Sequence, residues 1–173
     1  MTQETTHPDK PKLAVQRIYT KGSLFEAVTL TPALLKSIST TAAPTIDLQV
    51  QTNYTKREDD TYEAVLTINL TAKNDGSLLW RIQLQQAGLY TLEGVDEEQL
   101  KRVLNGYCMN QLYPYAATTA SMMVLQGGFP PLYLTPMNFD TLYRKQLEQE
   151  AQTEGGERGT ELAVAEDSSL VTH

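Results

Sequence analysis

Residues 103–139 contain no Asp, Glu, Lys or Arg, in a chain that is 20% charged. A surface helix ordinarily carries charge on its solvent face. This stretch therefore calls for protein cover on more than one side. A bilayer is not that cover. Asn105, Asn110, Gln111, Pro114, Gln126, Gly127, Gly128, Pro130 and Pro131 interrupt the run, and no 18 apolar residues stand together. The reading is a helix-and-loop region whose second face is covered by other subunits.

Charge is unevenly placed along the 173 residues. Residues 148–173 hold seven acids against Arg158, whereas residues 12–147 are neutral. Clustered positive charge, the footprint of nucleic-acid binding, is missing. Cys108 is the sole cysteine, so no intramolecular disulfide is expected. With His7 and His173 near the termini, neither a zinc site nor a Ser-His-Asp set is expected. Gly127-Gly128 leads into Phe129-Pro130 with no P-loop lysine. No metal, no cofactor and no enzymatic activity are expected. The polar start, MTQETTHPDKPK, has no apolar signal core, which makes the cytoplasm the expected compartment and direct membrane insertion unexpected.

Residues 1–11 read as a disordered arm, 12–151 as one domain and 152–173 as a disordered acidic tail. Residues 13–27 alternate as a strand, with Leu13, Val15, Arg17 and Tyr19 on one face and Gln16, Ile18 and Thr20 on the other. Gly22 suggests a bulge. Residues 28–44, with Leu30, Leu34, Leu35 and Ile38, read as a crossover. Residues 45–53, 61–73 and 78–92 alternate with period two, joined by a charged turn at 54–60 and by Asn74-Asp75-Gly76. Trp80, Ile82, Leu84 and Gln86 share a face of the last strand, where a buried Gln86 needs a hydrogen-bond partner at a subunit interface.

Residues 96–106 read as a short helix ended by Gly106. A longer one runs over 111–126, capped by Asn110, with Leu112, Tyr115, Ala116, Thr119, Ala120 and Met123 as its main stripe. A Pro-rich loop spans 129–137, and Asn138 caps a last helix from Phe139 to about Ala151. Strands first and helices after predict an α+β fold, a four-stranded antiparallel sheet with helices packed on one face.

QRIYTKGSLFE (16–26), QQAGLY (85–90), GYCMNQLYPYA (106–116) and GFPPLYLTPMNFDTLY (128–143) resemble the SecB protein-export chaperones, in the family's order and spacing. The resemblance implies a homotetramer, a dimer of dimers. It implies an ATP-independent holdase that binds unfolded secretory precursors and hands them to the SecA motor. Its client groove would fall on Leu30, Leu34, Leu35, Phe129, Leu132, Tyr133, Leu134, Met137, Leu142 and Tyr143. The tetramer interface would fall on Ile82, Leu84, Gln86, Ala116, Ala117, Ala120 and Ser121. SecA contact would fall on Glu26, Arg81 and Gln83, where the family usually presents more acids. That departure leaves a SecB-like chaperone for a dedicated client, such as an antitoxin, as the alternative. A third class, a hot-dog thioesterase, needs a carboxylate or His facing the long helix, and residues 103–139 supply neither.

Overall fold

The computed structural model describes residues 12–40, 44–152 and 171–172. The expected N-terminal arm and residues 153–170 of the expected tail lie outside the described residues. In chain order the elements are β1 (Lys12–Ala27), α1 (Pro32–Thr40), β2 (Thr45–Lys56), β3 (Thr61–Asn74), β4 (Ser77–Glu93) and α2 (Glu97–Arg102). A π turn (Val103–Tyr107), α3 (Cys108–Gln126), β5 (Tyr133–Leu134), α4 (Phe139–Gln152) and β6 (Val171–Thr172) follow. The main sheet is antiparallel in the order β1-β4-β3-β2. β2 to β4 form a meander because their turns are tight. Asp75 and Gly76 both take positive φ (48° and 77°), the backbone that a two-residue hairpin needs.

One sheet face is the core. Leu48 and Val50 from β2, Leu66, Ile68 and Leu70 from β3, and Ile82, Leu84 and Tyr90 from β4 are buried in one cluster with residues of α3 and the π turn. Gly88 is required there, because a Cβ would lie 2.5 Å from the buried Tyr90 ring. α3 presents Cys108, Met109, Leu112, Tyr113, Ala116, Ala120 and Val124 to this core. The predicted stripe was therefore turned slightly about the helix axis: Tyr115 is 55% exposed, and Tyr113 takes the inward place. Cys108 is fully buried, and burial pushes its thiol up to about 12.

Four local expectations change. β1 does not alternate uniformly, because register shifts fall between Val15 and Arg17 and between Thr20 and Gly22. Leu13, Val15, Ile18 and Thr20 thus pair with the core-facing residues of β4, and Arg17 and Tyr19 turn to the outer face. The crossover contains a helix, α1, started by Thr31, whose hydroxyl accepts the Leu34 N–H at 3.2 Å. Gly106 does not end a helix: α2, the π turn and α3 run on without a break. Gly106 is there because a Cβ would meet Asp140 Oδ1 at 2.2 Å. Asn110 correspondingly does not cap α3. Its side chain accepts the Phe139 N–H at 2.9 Å and donates to Asp140 at 2.6 Å, which fastens α4. Asn138 caps α4 as expected, accepting from the Thr141 N–H at 3.0 Å.

Candidate functional site

The ten residues expected to form the groove fall into three groups. Leu30, Leu34 and Leu35 lie at or on α1, and Leu34 packs on the core while Leu35 is exposed. They meet the chain again at the end of α3. Gly128 stands at φ 82°, and its missing Cβ would sit 3.6 Å from Leu30 Cδ1. Phe129 is buried in an aromatic cluster with Phe25 and Trp80, each pair of ring centroids 6.4 Å apart. Gly127 leaves room for Phe25, whose ring would lie 2.3 Å from a Cβ there.

Leu132, Tyr133, Leu134 and Met137 form the second group. α3 holds this loop through its carbonyls: the Tyr113 hydroxyl donates to Thr135 at 2.7 Å, and the Ser121 hydroxyl donates to Leu132. Leu132 is buried, Leu134 and Met137 are half-buried, and Tyr133 is 58% exposed.

Leu142 and Tyr143 form the third group, on α4. This helix docks mainly on the π turn and puts Phe139 against Tyr113, ring centroids 5.6 Å apart. Tyr143 and Leu147 line two cavities. One, of about 270 Å³, is also lined by Thr52, Tyr54, Lys101 and Asn105. The other, of about 380 Å³, is also lined by Arg102, Asp140 and Arg144. The chain thus carries a discontinuous apolar surface: a buried aromatic cluster past the end of α3, and half-exposed Leu, Met and Tyr side chains on the following loop and on α4. Sequence reasoning missed the β2 and α2 side of the first cavity, because no local pattern brings residues 52–54 to residue 143.

Of the residues expected at a subunit interface, Ile82, Leu84, Gln86, Ala116 and Ala120 are buried within one chain, between sheet and α3. Gln86 has an intrachain partner, the Thr20 hydroxyl at 3.4 Å. Ala117 and Ser121 lie at the margin, half-buried. The opposite face of α3 exposes Tyr115, Thr118, Met122 and Leu125, a 3-4-3 spacing that aligns them on one side.

Glu26, Arg81 and Gln83 come together on the outer sheet face. Glu26 and Arg81 are cross-strand partners and form an exposed ion pair, which neutralises the carboxylate. Gln83 lines a shallow depression of about 310 Å³ with Leu24, Asn69, Thr71 and Arg81. Further along this face lies a cluster that sequence reasoning did not single out. Glu63 is buried and accepts from Lys21 at 2.9 Å, from Tyr19 and from Arg57. Burial alone would raise this carboxyl, but its three donors outweigh that and bring it down to about 2.

A four-stranded antiparallel sheet backed by one long uncharged helix, with a partly exposed apolar surface and no clustered metal ligands among the described residues, defines the class: an α+β module of one sheet covered by helices. The chain belongs to the SecB family. The family model of preprotein translocase subunit SecB matches residues 6–150. The protein-export protein SecB of Pseudomonas fluorescens is 37% identical over 152 residues, covering 88% of this chain and 92% of the relative. That of Hahella chejuensis is 36% identical, covering 89% and 98%. A SecB-like chaperone of Mycobacterium tuberculosis, solved with an antitoxin peptide, shares the fold at TM-score 0.59 and 16% identity, covering 73% of this chain and 88% of that one. The protein is a non-catalytic chaperone of the SecB type, with a role in protein export. No helix among the described residues is long and apolar enough to cross a membrane.

Proposed function

We propose that the protein is an ATP-independent holdase of the cytoplasm that keeps unfolded secretory precursors export-competent and passes them to SecA. The observation that carries this reading is the anchored, partly exposed apolar surface from Phe129 to Tyr143, beside Leu30, Leu34 and Leu35. Burying apolar area stabilises a complex by roughly 25 cal/mol per Å² before ordering costs, and it requires no particular client sequence. The working unit is a homotetramer, a dimer of dimers. Its helix contact is the Tyr115, Thr118, Met122 and Leu125 face of α3, flanked by Ala117 and Ser121. Ile82, Leu84, Gln86, Ala116 and Ala120 support that contact from within each chain by seating α3 on its sheet.

Changing Tyr133 and Leu142 together to Ser is expected to weaken binding of an unfolded, slow-folding client about tenfold or more while assembly mass is unchanged. Full suppression of client aggregation by the double variant would remove this surface from the site.

The second reading is a chaperone serving a dedicated client, such as an antitoxin, without SecA coupling. It is favoured by the Glu26–Arg81 pair, which cancels charge where a basic SecA segment would dock. A pull-down with SecA from the same source, with and without client, separates the two.

A further inference from the structure

We propose that the backbone edge of β5 is a strand-addition site for extended client segments, held in this chain by its own C-terminal residues Val171–Thr172. The proposal rests on the holdase reading and adds a competitor to it. β6 pairs antiparallel with β5, Tyr133 opposite Thr172 and Leu134 opposite Val171. It does so in the middle of the loop that the apolar surface surrounds.

The loop is built to offer an edge. Hydrogen bonds from Ser121 to the Leu132 carbonyl and from Tyr113 to the Thr135 carbonyl tie both flanks of β5 to α3. Pro131 and Pro136 lack N–H groups, so the unbroken run of amide donors between them is residues 132–135. An added strand therefore has one short window and little freedom of register. Backbone pairing asks for no particular side chain, which suits clients without a common sequence. The exposed Tyr133 ring lies beside that window and can cover an apolar residue of the added strand.

The resident strand is only two residues long, which makes it displaceable. Its tether gives it weight all the same. Residues 153–170 join it covalently to α4, so its pairing is intramolecular and does not weaken on dilution of the protein. A client at micromolar concentration has to overcome this. Segments that engage the rest of the apolar surface simultaneously can do so, and weak, isolated contacts cannot. The tail thus acts as a threshold on client engagement.

The test uses the full chain and a fluorescently labelled, permanently unfolded polypeptide as probe. Replacing Val171 and Thr172 both by Pro removes whichever N–H faces β5, and keeps chain length and charge. The double-Pro chain is expected to bind the probe about threefold or more tightly than wild type. A chain carrying Val171→Thr and Thr172→Val, which keeps two strand-forming residues, is expected to bind as wild type does. Equal affinity of wild-type and double-Pro chains overturns the proposal while leaving the holdase reading intact. Absence of binding in all three chains overturns both.

Discussion

The Lys21 ammonium lies 2.9 Å from the Glu63 carboxylate, although β4 runs between their strands. Tyr19 and Arg57 complete the shell, so one buried carboxylate ties edge strand β1 to the sheet interior. Bonds to a charged group of this kind each contribute about 1.5–3 kcal/mol.

Glu63→Gln is expected to lower stability by about 2 kcal/mol at neutral pH, read as a shift in the denaturant midpoint. The pH dependence has a definite sign. The folded carboxyl titrates near 2, below its ordinary value of 4.5, so its contribution is full above pH 4.5. It is lost as pH falls from 4.5 to about 2. Wild type should show this acid loss against the Gln variant, and parallel stability curves across that window would show that the cluster adds nothing.

Gly88→Ala is expected to destabilise by about 1–3 kcal/mol, because its Cβ would meet the Tyr90 ring at 2.5 Å and that ring is fully buried. A midpoint within a few tenths of wild type would mean that the ring has room to retreat.

Met122→Glu places a charge on the exposed apolar face of α3. Its expected outcome in light scattering is a fall in assembly mass, with Ala117→Glu acting the same way. Full-mass assemblies from both variants would remove this face from the subunit contact.

A basic SecA segment is expected to bind weakly at the outer sheet face, since Glu26 is already paired with Arg81 and Gln83 is neutral. An exposed ion pair contributes only about 0.2–1 kcal/mol. The acidic residues after Gln152 are the alternative attractor, and their effect should fade with salt, as the Debye length is about 8 Å at 0.15 M. Titration against wild type, Glu26→Gln and a chain truncated after Gln152 assigns the contact to whichever change abolishes it. Tight, salt-insensitive binding that survives both would defeat the electrostatic account.

Period-two alternation alone placed β2, β3 and β4, and Asp75-Gly76 placed their hairpin, because strand phase and turn chemistry are local properties. The missing charge over residues 103–139 likewise announced a helix with two apolar faces. Gly106 was ambiguous from sequence: a glycine that ends a helix and one that admits a neighbouring Asp140 look the same until α4 is docked. The two bulges of β1 become visible only against the register of β4, and each inserted residue reverses which face follows. Glu63 occupies an ordinary polar position in its own strand. It is buried because Tyr19 and Lys21 arrive from β1 to join Arg57 of the preceding turn, and no short window along the sequence contains all four. The pairing of Val171–Thr172 with Tyr133–Leu134 is of the same kind, since it depends on distance in space rather than on pattern.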